Sequence, residues 1–145
     1  MRGVDVRVKN YIGKALRSMG DLEIKAKAIV TKEPVTFLGF VDAKTGLITQ
    51  EGHELNGKSL TGKIFVFPKG VGSTVGPYTL INLVKNSKGP LAIINRESDQ
   101  GTVSGCSVAQ IPLAYGFIND PTEFIQEDDE ITIVFKSGIA RLTIH

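Results

Sequence analysis

The chain has 145 residues, 41% hydrophobic and 22% charged, which is usual for one globular domain. A net charge of +2 is too small to indicate nucleic-acid binding, and the single cysteine, Cys106, excludes an internal disulfide and a metal site made of cysteines alone. The apolar runs are strand-sized, too short for a bilayer, and the start lacks a signal segment. We therefore expect a soluble cytoplasmic protein, with neither membrane nor nucleic acid among its partners.

The first half of the chain predicts mainly extended structure. Residues 22–30 alternate apolar and charged side chains, which predicts a half-buried strand. Residues 35–41 predict a second extended piece, and residues 44–46 a turn. The apolar run at residues 63–67 predicts a buried strand, because it is short, rich in β-formers and stops at Pro68.

The second half predicts alternating helices and strands. Proline suits the first turn of a helix, so Pro77 predicts a helix start, and residues 86–89 predict its end. Residues 91–94 predict a strand parallel to residues 63–67, because a helix separates the two. The remaining predicted elements are a helix over residues 102–110 with Asp99 as its cap, a strand over 111–117, and a hairpin formed by 131–135 and 139–144. This order predicts an α+β domain, or a three-layer β/β/α domain.

The strongest chemical signal is a glycine-rich loop at residues 70–76, between a predicted strand and a predicted helix. Glycines permit positive φ angles and let backbone amides approach an anion or a substrate, and the helix start adds unpaired N–H groups. Ser73 and Thr74 therefore lie where a hydroxyl could be exposed and its alkoxide stabilised. The loop fits neither the Walker pattern nor the dinucleotide fingerprint, so a simple tight turn is an equal alternative.

The other reactive side chains predict structural roles. His53 and His145 are isolated from each other and do not form a metal site, and His53 is predicted to have a surface or turn role. Cys106 is predicted to pack as a small hydrophobic residue. No Ser/His/Asp order or carboxylate pair indicates nucleophilic or glycosidic chemistry.

Ordered motifs along the chain resemble the aconitase X swivel-domain family. The similarity extends from about residue 13 to about residue 142, and its most specific part is the loop Gly-Val-Gly-Ser-Thr-Val-Gly at residues 70–76. The other matching segments are residues 30–39, 41–46, 57–68 and 89–95. The resemblance implies a three-layer β/β/α swivelling domain over residues 13–145, with residues 1–12 as an N-terminal extension.

The resemblance also implies a function. The loop and the short length are most similar to small subunits of archaeal enzymes that dehydrate (R)-5-phosphomevalonate to trans-anhydromevalonate 5-phosphate, in the mevalonate route to isoprenoids. In such heteromeric hydro-lyases a separate large subunit carries a [4Fe-4S] cluster on three cysteines. With one cysteine, this chain is expected to bind no cofactor or metal itself, and to act on a phosphorylated hydroxy acid only together with the large subunit.

The same resemblance assigns roles to residues in and beside the loop. Ser73 stands at the position of the serine that acts as the base in aconitases. Gly72 and Thr74 are expected to shape the substrate pocket, and Lys69 to hold an anionic group of the substrate. Two alternatives stay open: a related hydro-lyase for another substrate, such as cis-3-hydroxy-L-proline, and a non-catalytic binding module with the swivel fold.

Overall fold

Seven strands close into one barrel in the computed structural model, which describes residues 9–16, 20–72 and 76–145. The strand order is β1-β5-β4-β3-β2-β6-β7, with β7 paired back to β1. The elements are β1 (Lys9–Ala15), β2 (Leu22–Val30), β3 (Ile64–Phe67), α1 (Gly76–Lys85), β4 (Ala92–Asn95), α2 (Gln100–Ala109), β5 (Leu113–Tyr115), α3 (Pro121–Phe124), β6 (Glu130–Lys136) and β7 (Ile139–Ile144).

The barrel combines a parallel half with an antiparallel half. β3 pairs in parallel with β2 and β4, and β4 pairs in parallel with β5. The crossovers from β3 to β4 and from β4 to β5 are the helices α1 and α2, as parallel neighbours require. β1, β6 and β7 complete the barrel through antiparallel pairs. The predicted parallel pairing of β3 with β4 is confirmed.

Two hydrophobic cores lie on opposite faces of the central strands. Ile64 and Val66 of β3 belong to the barrel interior, whereas Phe65 and Phe67 belong to the core beneath the helices. All four side chains are fully buried, and burying a large apolar side chain stabilises the fold by about 1.5–3 kcal/mol. The barrel walls and the helix layer together form the expected three-layer β/β/α domain, so the predicted fold class is confirmed.

The segment from residue 31 to residue 63 is a long irregular excursion over the helix-side core. The extended piece predicted over residues 35–41 is wrong as a continuous strand, because only isolated bridges form at its ends, Val35 with Gly70 and Val41 with Ile48. Between them the backbone turns, with the Phe40 N–H donating to the Phe37 carbonyl at 3.1 Å. The turn lets both phenylalanines reach the core. The predicted turn near residue 45 is present, closed by bonds to the Asp42 carbonyl.

The two ends of the described chain meet in the barrel. β1 begins at Lys9 and pairs with β7 from Lys9 to Lys14, so residues 9–12 contribute to the sheet. Residues 1–8 lie outside the described part, and the division between an extension and the domain at residue 12 stays a prediction. The predicted C-terminal hairpin is present, with positive φ at both Ser137 (53°) and Gly138 (79°), as a type I′ turn requires.

Candidate functional site

The glycine-rich loop connects the end of β3 to the first turn of α1. Ser73 and Thr74, the predicted base and its neighbour, lie outside the described residues. The described entry to the loop is held by residue 35: the Val35 N–H donates to the Lys69 carbonyl at 3.0 Å, and the Val71 N–H donates to the Val35 carbonyl at 2.9 Å. The loop therefore leaves the sheet from a fixed position.

A carboxylate on the neighbouring helix also holds this entry. Asp99 is the N-cap of α2, and its Oδ2 accepts from the Thr102 N–H at 2.9 Å. Its Oδ1 accepts from the Gly70 N–H at 2.7 Å. The predicted capping role is confirmed, while the contact with Gly70 was not predicted from the sequence. One side chain thus fixes both the start of α2 and the start of the loop.

Glycine is required on steric grounds at both ends of the described loop entry. A Cβ at Gly70 would lie 2.5 Å from Thr102 Oγ1 and 3.0 Å from Asp99 Oδ2. Gly72 has φ +96°, a conformation that L side chains rarely adopt, and a Cβ there would lie 3.0 Å from Thr36 Cγ2. The backbone can run this close to Thr102 of α2 at Gly70, and to Thr36 at Gly72, only because both glycines lack a side chain.

The start of α1 packs against the middle of α2. Gly105 allows this close packing, since a Cβ there would lie 2.9 Å from Leu80 Cδ1 and 3.2 Å from Pro77 Cα. The first N–H groups of a helix have no partner within the helix, and a helix N-terminus carries about half a positive charge. Pro77 at the start of α1 and Gln100 and Gly101 at the start of α2 line the same space beside the glycine-rich loop, so both helix ends border it.

Two adjacent hollows lie beside these helix starts. The first, which we call the loop cavity, has a volume of about 180 Å³. The second, which we call the helix groove, has a volume of about 620 Å³ and includes the exposed side chains of Tyr78 and Val108. Gly72, Pro77, Gln100 and Gly101 line both hollows. The loop cavity is further lined by Val35, Phe37, Gly70, Val71, Asp99 and Thr102.

The predicted site residues are only partly brought together. Gly72 lines both hollows, whereas Lys69 lines neither of them. Lys69 Nζ lies 3.2 Å from Glu97 Oε1, and the two side chains are 39% and 53% exposed. The Lys69 ammonium therefore already has an ion-pair partner outside the lining of both hollows. The contact of Lys69 with the substrate stays a prediction.

Comparison with known proteins supports the resemblance seen in the sequence. The sequence model of the aconitase X swivel domain matches residues 15–142. The chain belongs to this family. It is 39% identical to the phosphomevalonate dehydratase small subunit of Methanosarcina mazei over 81% of this chain and 82% of that protein. It is 46% identical to the protein of the same name from Pyrococcus horikoshii, over 67% of this chain and 72% of that protein.

Solved structures agree with the family assignment. The crystal structure of Thermococcus kodakaraensis aconitase X in its holo form superimposes on this swivel domain with a TM-score of 0.83, at 31% identity, over 94% of this chain and 98% of that one. A second relative, whose structure was determined in solution by NMR, gives a TM-score of 0.76 at 35% identity, over 91% of this chain and 97% of that one. The resemblance to the aconitase X swivel domain is thus confirmed.

The described residues of this swivel domain do not fit an iron–sulfur cluster. Cys106 is fully buried. Burial is the larger cause, and the nearby charge of Asp99 the smaller, of a thiol pKa far above the ordinary value. A cluster needs thiolates, so Cys106 is a core residue, as predicted. Across residues 9–16, 20–72 and 76–145, no group of three or more His, Cys, Asp or Glu side chains is placed to hold a metal ion.

Within the same ranges no helix is long and apolar enough to span a membrane.

Of the two roles predicted for His53, surface or turn, the structure shows the turn role, with the ring buried rather than on the surface. The ring is buried, with 8% of the residue exposed, because it packs edge-on against Phe40 at 5.1 Å between centroids. Its Nδ1 accepts from the Leu55 N–H at 3.0 Å, and its Nε2 lies 3.5 Å from a carboxylate oxygen of Glu33. His53 lines neither the loop cavity nor the helix groove.

Proposed function

We propose that this chain is the small subunit of a phosphomevalonate dehydratase, a hydro-lyase that is active only together with a large subunit. The family assignment and the names of relatives that match most of its length support this proposal. The structural observation that carries it is that the described entry of the glycine-rich loop and the starts of two helices line two adjacent hollows. We also propose that the protein is cytoplasmic, as predicted from the sequence.

The proposed reaction removes water from (R)-5-phosphomevalonate to give trans-anhydromevalonate 5-phosphate. A proton leaves carbon to a base, the C–H electron pair becomes the new C=C bond, and the C–O bond breaks with its electron pair going to oxygen. The leaving hydroxide takes up one proton to become water, so that the net change is the loss of H2O. The substrate carries a carboxylate and a phosphate. The [4Fe-4S] cluster that the family implies belongs, in this proposal, to the three-cysteine large subunit.

Ser73 is the proposed base. It follows Gly72 in the sequence and precedes Gly76, the first residue of α1. A serine hydroxyl is a weak base, so proton abstraction requires a stabilised alkoxide, which the N–H groups and partial positive charges of neighbouring helix starts can supply. Gly72 and Thr74 are proposed to shape the pocket, and Lys69 to hold an anionic group of the substrate.

Reconstitution under anaerobic conditions tests the function. Each subunit is produced alone and together with its partner, and water loss from (R)-5-phosphomevalonate is followed. Turnover is expected only from the complex. A complex without turnover on this substrate contradicts the proposed substrate, and cis-3-hydroxy-L-proline is then assayed on the same preparation. Failure to form any complex contradicts the subunit role.

A paired substitution tests the base. Ser73→Ala is expected to leave complex formation intact and to lower kcat by 10²-fold or more, because a positioned general base contributes about 10²–10⁴-fold. Ser107→Ala, on α2 and outside the lining of both hollows, is the matched control and is expected to retain turnover. A Ser73→Ala complex that dehydrates at the rate of the control overturns the assignment.

A further inference from the structure

Thr102 has a buried hydroxyl without a partner at the edge of the loop cavity. The residue is only 2% exposed, it lines the cavity, and its Oγ1 has no hydrogen-bond partner in the described part of the chain. Other buried threonines are paired: Thr122 Oγ1 donates to Asp120 Oδ1, and Thr31 Oγ1 to Glu54 Oε2, each at 2.8 Å. Buried polar groups are nearly always satisfied, so the Thr102 hydroxyl points to a missing partner.

Two backbone donors lie beside this hydroxyl. The first four N–H groups of a helix have no partner within the helix. In α2 the Thr102 N–H donates to the Asp99 side chain and the Val103 N–H to the Asp99 carbonyl. No described residue accepts from the N–H groups of Gln100 and Gly101, and both residues line the loop cavity. One hydroxyl and two amides without a partner in the described chain therefore belong to three consecutive residues that line the loop cavity.

The charges around the cavity select the ligand. Three donors require an acceptor oxygen, and the partial positive charge of the α2 start favours an anion. The Asp99 carboxylate, which already accepts from Gly70 and Thr102, opposes a dianion more strongly than a monoanion. The nearby cation Lys69 is paired with Glu97. A singly charged carboxylate meets these conditions better than a phosphate.

We propose that the loop cavity is a carboxylate subsite, in which Thr102 Oγ1 and the N–H groups of Gln100 and Gly101 donate hydrogen bonds to the carboxylate of the substrate. This inference rests on the proposed function for the identity of the substrate, a phosphorylated hydroxy acid. It assigns a ligand contact to α2, an element outside the glycine-rich loop.

Thr102→Val in the reconstituted complex is the first test. Valine keeps the shape and removes the hydroxyl, so KM for (R)-5-phosphomevalonate is expected to rise about tenfold while kcat changes less than about threefold. Thr102→Ser is expected to restore KM. The matched control is Thr122→Val, a threonine of similar burial whose hydroxyl is paired with Asp120. The control is expected to lower stability and leave KM unchanged.

Stability distinguishes a ligand contact from a structural role. Thr102→Val removes no existing hydrogen bond of the described chain, so the melting temperature of the variant is expected to equal or exceed that of the wild type. A marked fall in melting temperature together with an unchanged KM would show a structural hydroxyl and overturn the subsite.

Competitive inhibitors identify the group that is bound. Mevalonate offers the carboxylate without the phosphate, and 3-methylbutyl phosphate offers the phosphate without the carboxylate. Thr102→Val is expected to weaken inhibition by mevalonate about tenfold and to leave inhibition by the phosphate ester unchanged. The opposite pattern would show a phosphate subsite and overturn the carboxylate assignment.

A measurement on the full chain alone separates this inference from the proposed function. The related protein whose structure was determined in solution by NMR supports the use of the isolated chain. Sodium acetate is expected to shift the amide resonances of Gln100 and Gly101 in the wild type and not in Thr102→Val, with sodium phosphate at equal ionic strength as the control. An acetate response with an inactive complex rejects the function and retains the subsite. An active complex with no response to Thr102→Val in any assay rejects the subsite alone.

Discussion

The Asp99 carboxylate accepts a 2.7 Å hydrogen bond from the Gly70 N–H, across 29 positions of the sequence. The bond joins the cap of α2 to the first residue of the glycine-rich loop. The other oxygen of the same carboxylate accepts from the Thr102 N–H. The geometry of the candidate site therefore depends on a side chain that belongs to neither the loop nor α1.

Asp99→Ala is expected to lower both stability and turnover. Loss of an N-cap costs about 0.5–2 kcal/mol, and the Gly70 N–H loses its acceptor as well. Asp120→Ala removes the cap of α3, whose side chain accepts from the Thr122 N–H, and is the matched control. Chemical denaturation is expected to show a similar loss of stability in both variants, whereas steady-state assays of the complex show reduced turnover only for Asp99→Ala. Full turnover by a destabilised Asp99→Ala complex would contradict a positioning role.

Gly70→Ala and Gly101→Ala are expected to change stability in opposite directions. The new methyl group at residue 70 would lie 2.5 Å from Thr102 Oγ1, so the loop or α2 must shift. At residue 101 the new methyl group would lie 3.6 Å from Asp99 Oδ2, an ordinary contact, and alanine favours a helix over glycine by about 0.5–1 kcal/mol. Thermal denaturation is expected to show a lower melting temperature for Gly70→Ala and a higher one for Gly101→Ala. Equal melting temperatures would contradict the close approach of the loop to α2.

The parts of the fold that the sequence predicted are those with strong local patterns. β2 alternates along its length, β3 ends at a proline, and α2 carries a capping aspartate. β1 was not predicted, because its burial depends on pairing with β7 at the far end of the chain. The bent path of residues 31–63 was also missed in part, since Phe37 and Phe40 reach one core through a turn, which alternation does not reveal.

For the candidate site, the sequence predicted the loop but not its surroundings. Glycines between a strand and a helix are a local signal, and Asp99 three residues before Thr102 is a local capping signal. The second bond of Asp99, to Gly70, is a tertiary contact without a sequence pattern. The missing partner of the Thr102 hydroxyl is likewise visible only in three dimensions.

Substitutions of Lys69 and Glu97 test whether Lys69 binds the phosphate or the carboxylate of the substrate. If Lys69 holds an anionic substrate group, Glu97 competes for the same ammonium, since the two side chains lie 3.2 Å apart. Lys69→Met is then expected to raise KM several-fold, and Glu97→Gln to lower it. Steady-state kinetics of the complex at two salt concentrations measure both effects, and the KM difference is expected to shrink at high salt. Unchanged KM in both variants would mean that the pair is only an exposed ion pair, which contributes about 0–1 kcal/mol to stability.

Cys106 is expected to make the stability of the wild type fall above about pH 9. Burial raises the pKa of the folded thiol above its ordinary value of 9.0, so between these values the unfolded state holds fewer protons than the folded state. Stability contributed by the buried neutral thiol is therefore complete below pH 9 and decreases by up to about 1.4 kcal/mol per pH unit above it. Cys106→Ala has no thiol to titrate, so its stability lacks this pH dependence, although the substitution leaves a small cavity.

The difference in unfolding free energy between the wild type and Cys106→Ala, measured by denaturant titration at pH 8 and pH 10.5, isolates the thiol because the other titrating groups are common to both proteins. The wild type is expected to lose about 2 kcal/mol relative to the variant over this interval. A thiol-specific reagent at pH 8 is expected to label the chain only after unfolding, since the thiolate is the reactive form. Rapid labelling of the folded chain, or a pH-independent difference between the two proteins, would show that Cys106 is accessible and would reopen its exclusion as a metal ligand.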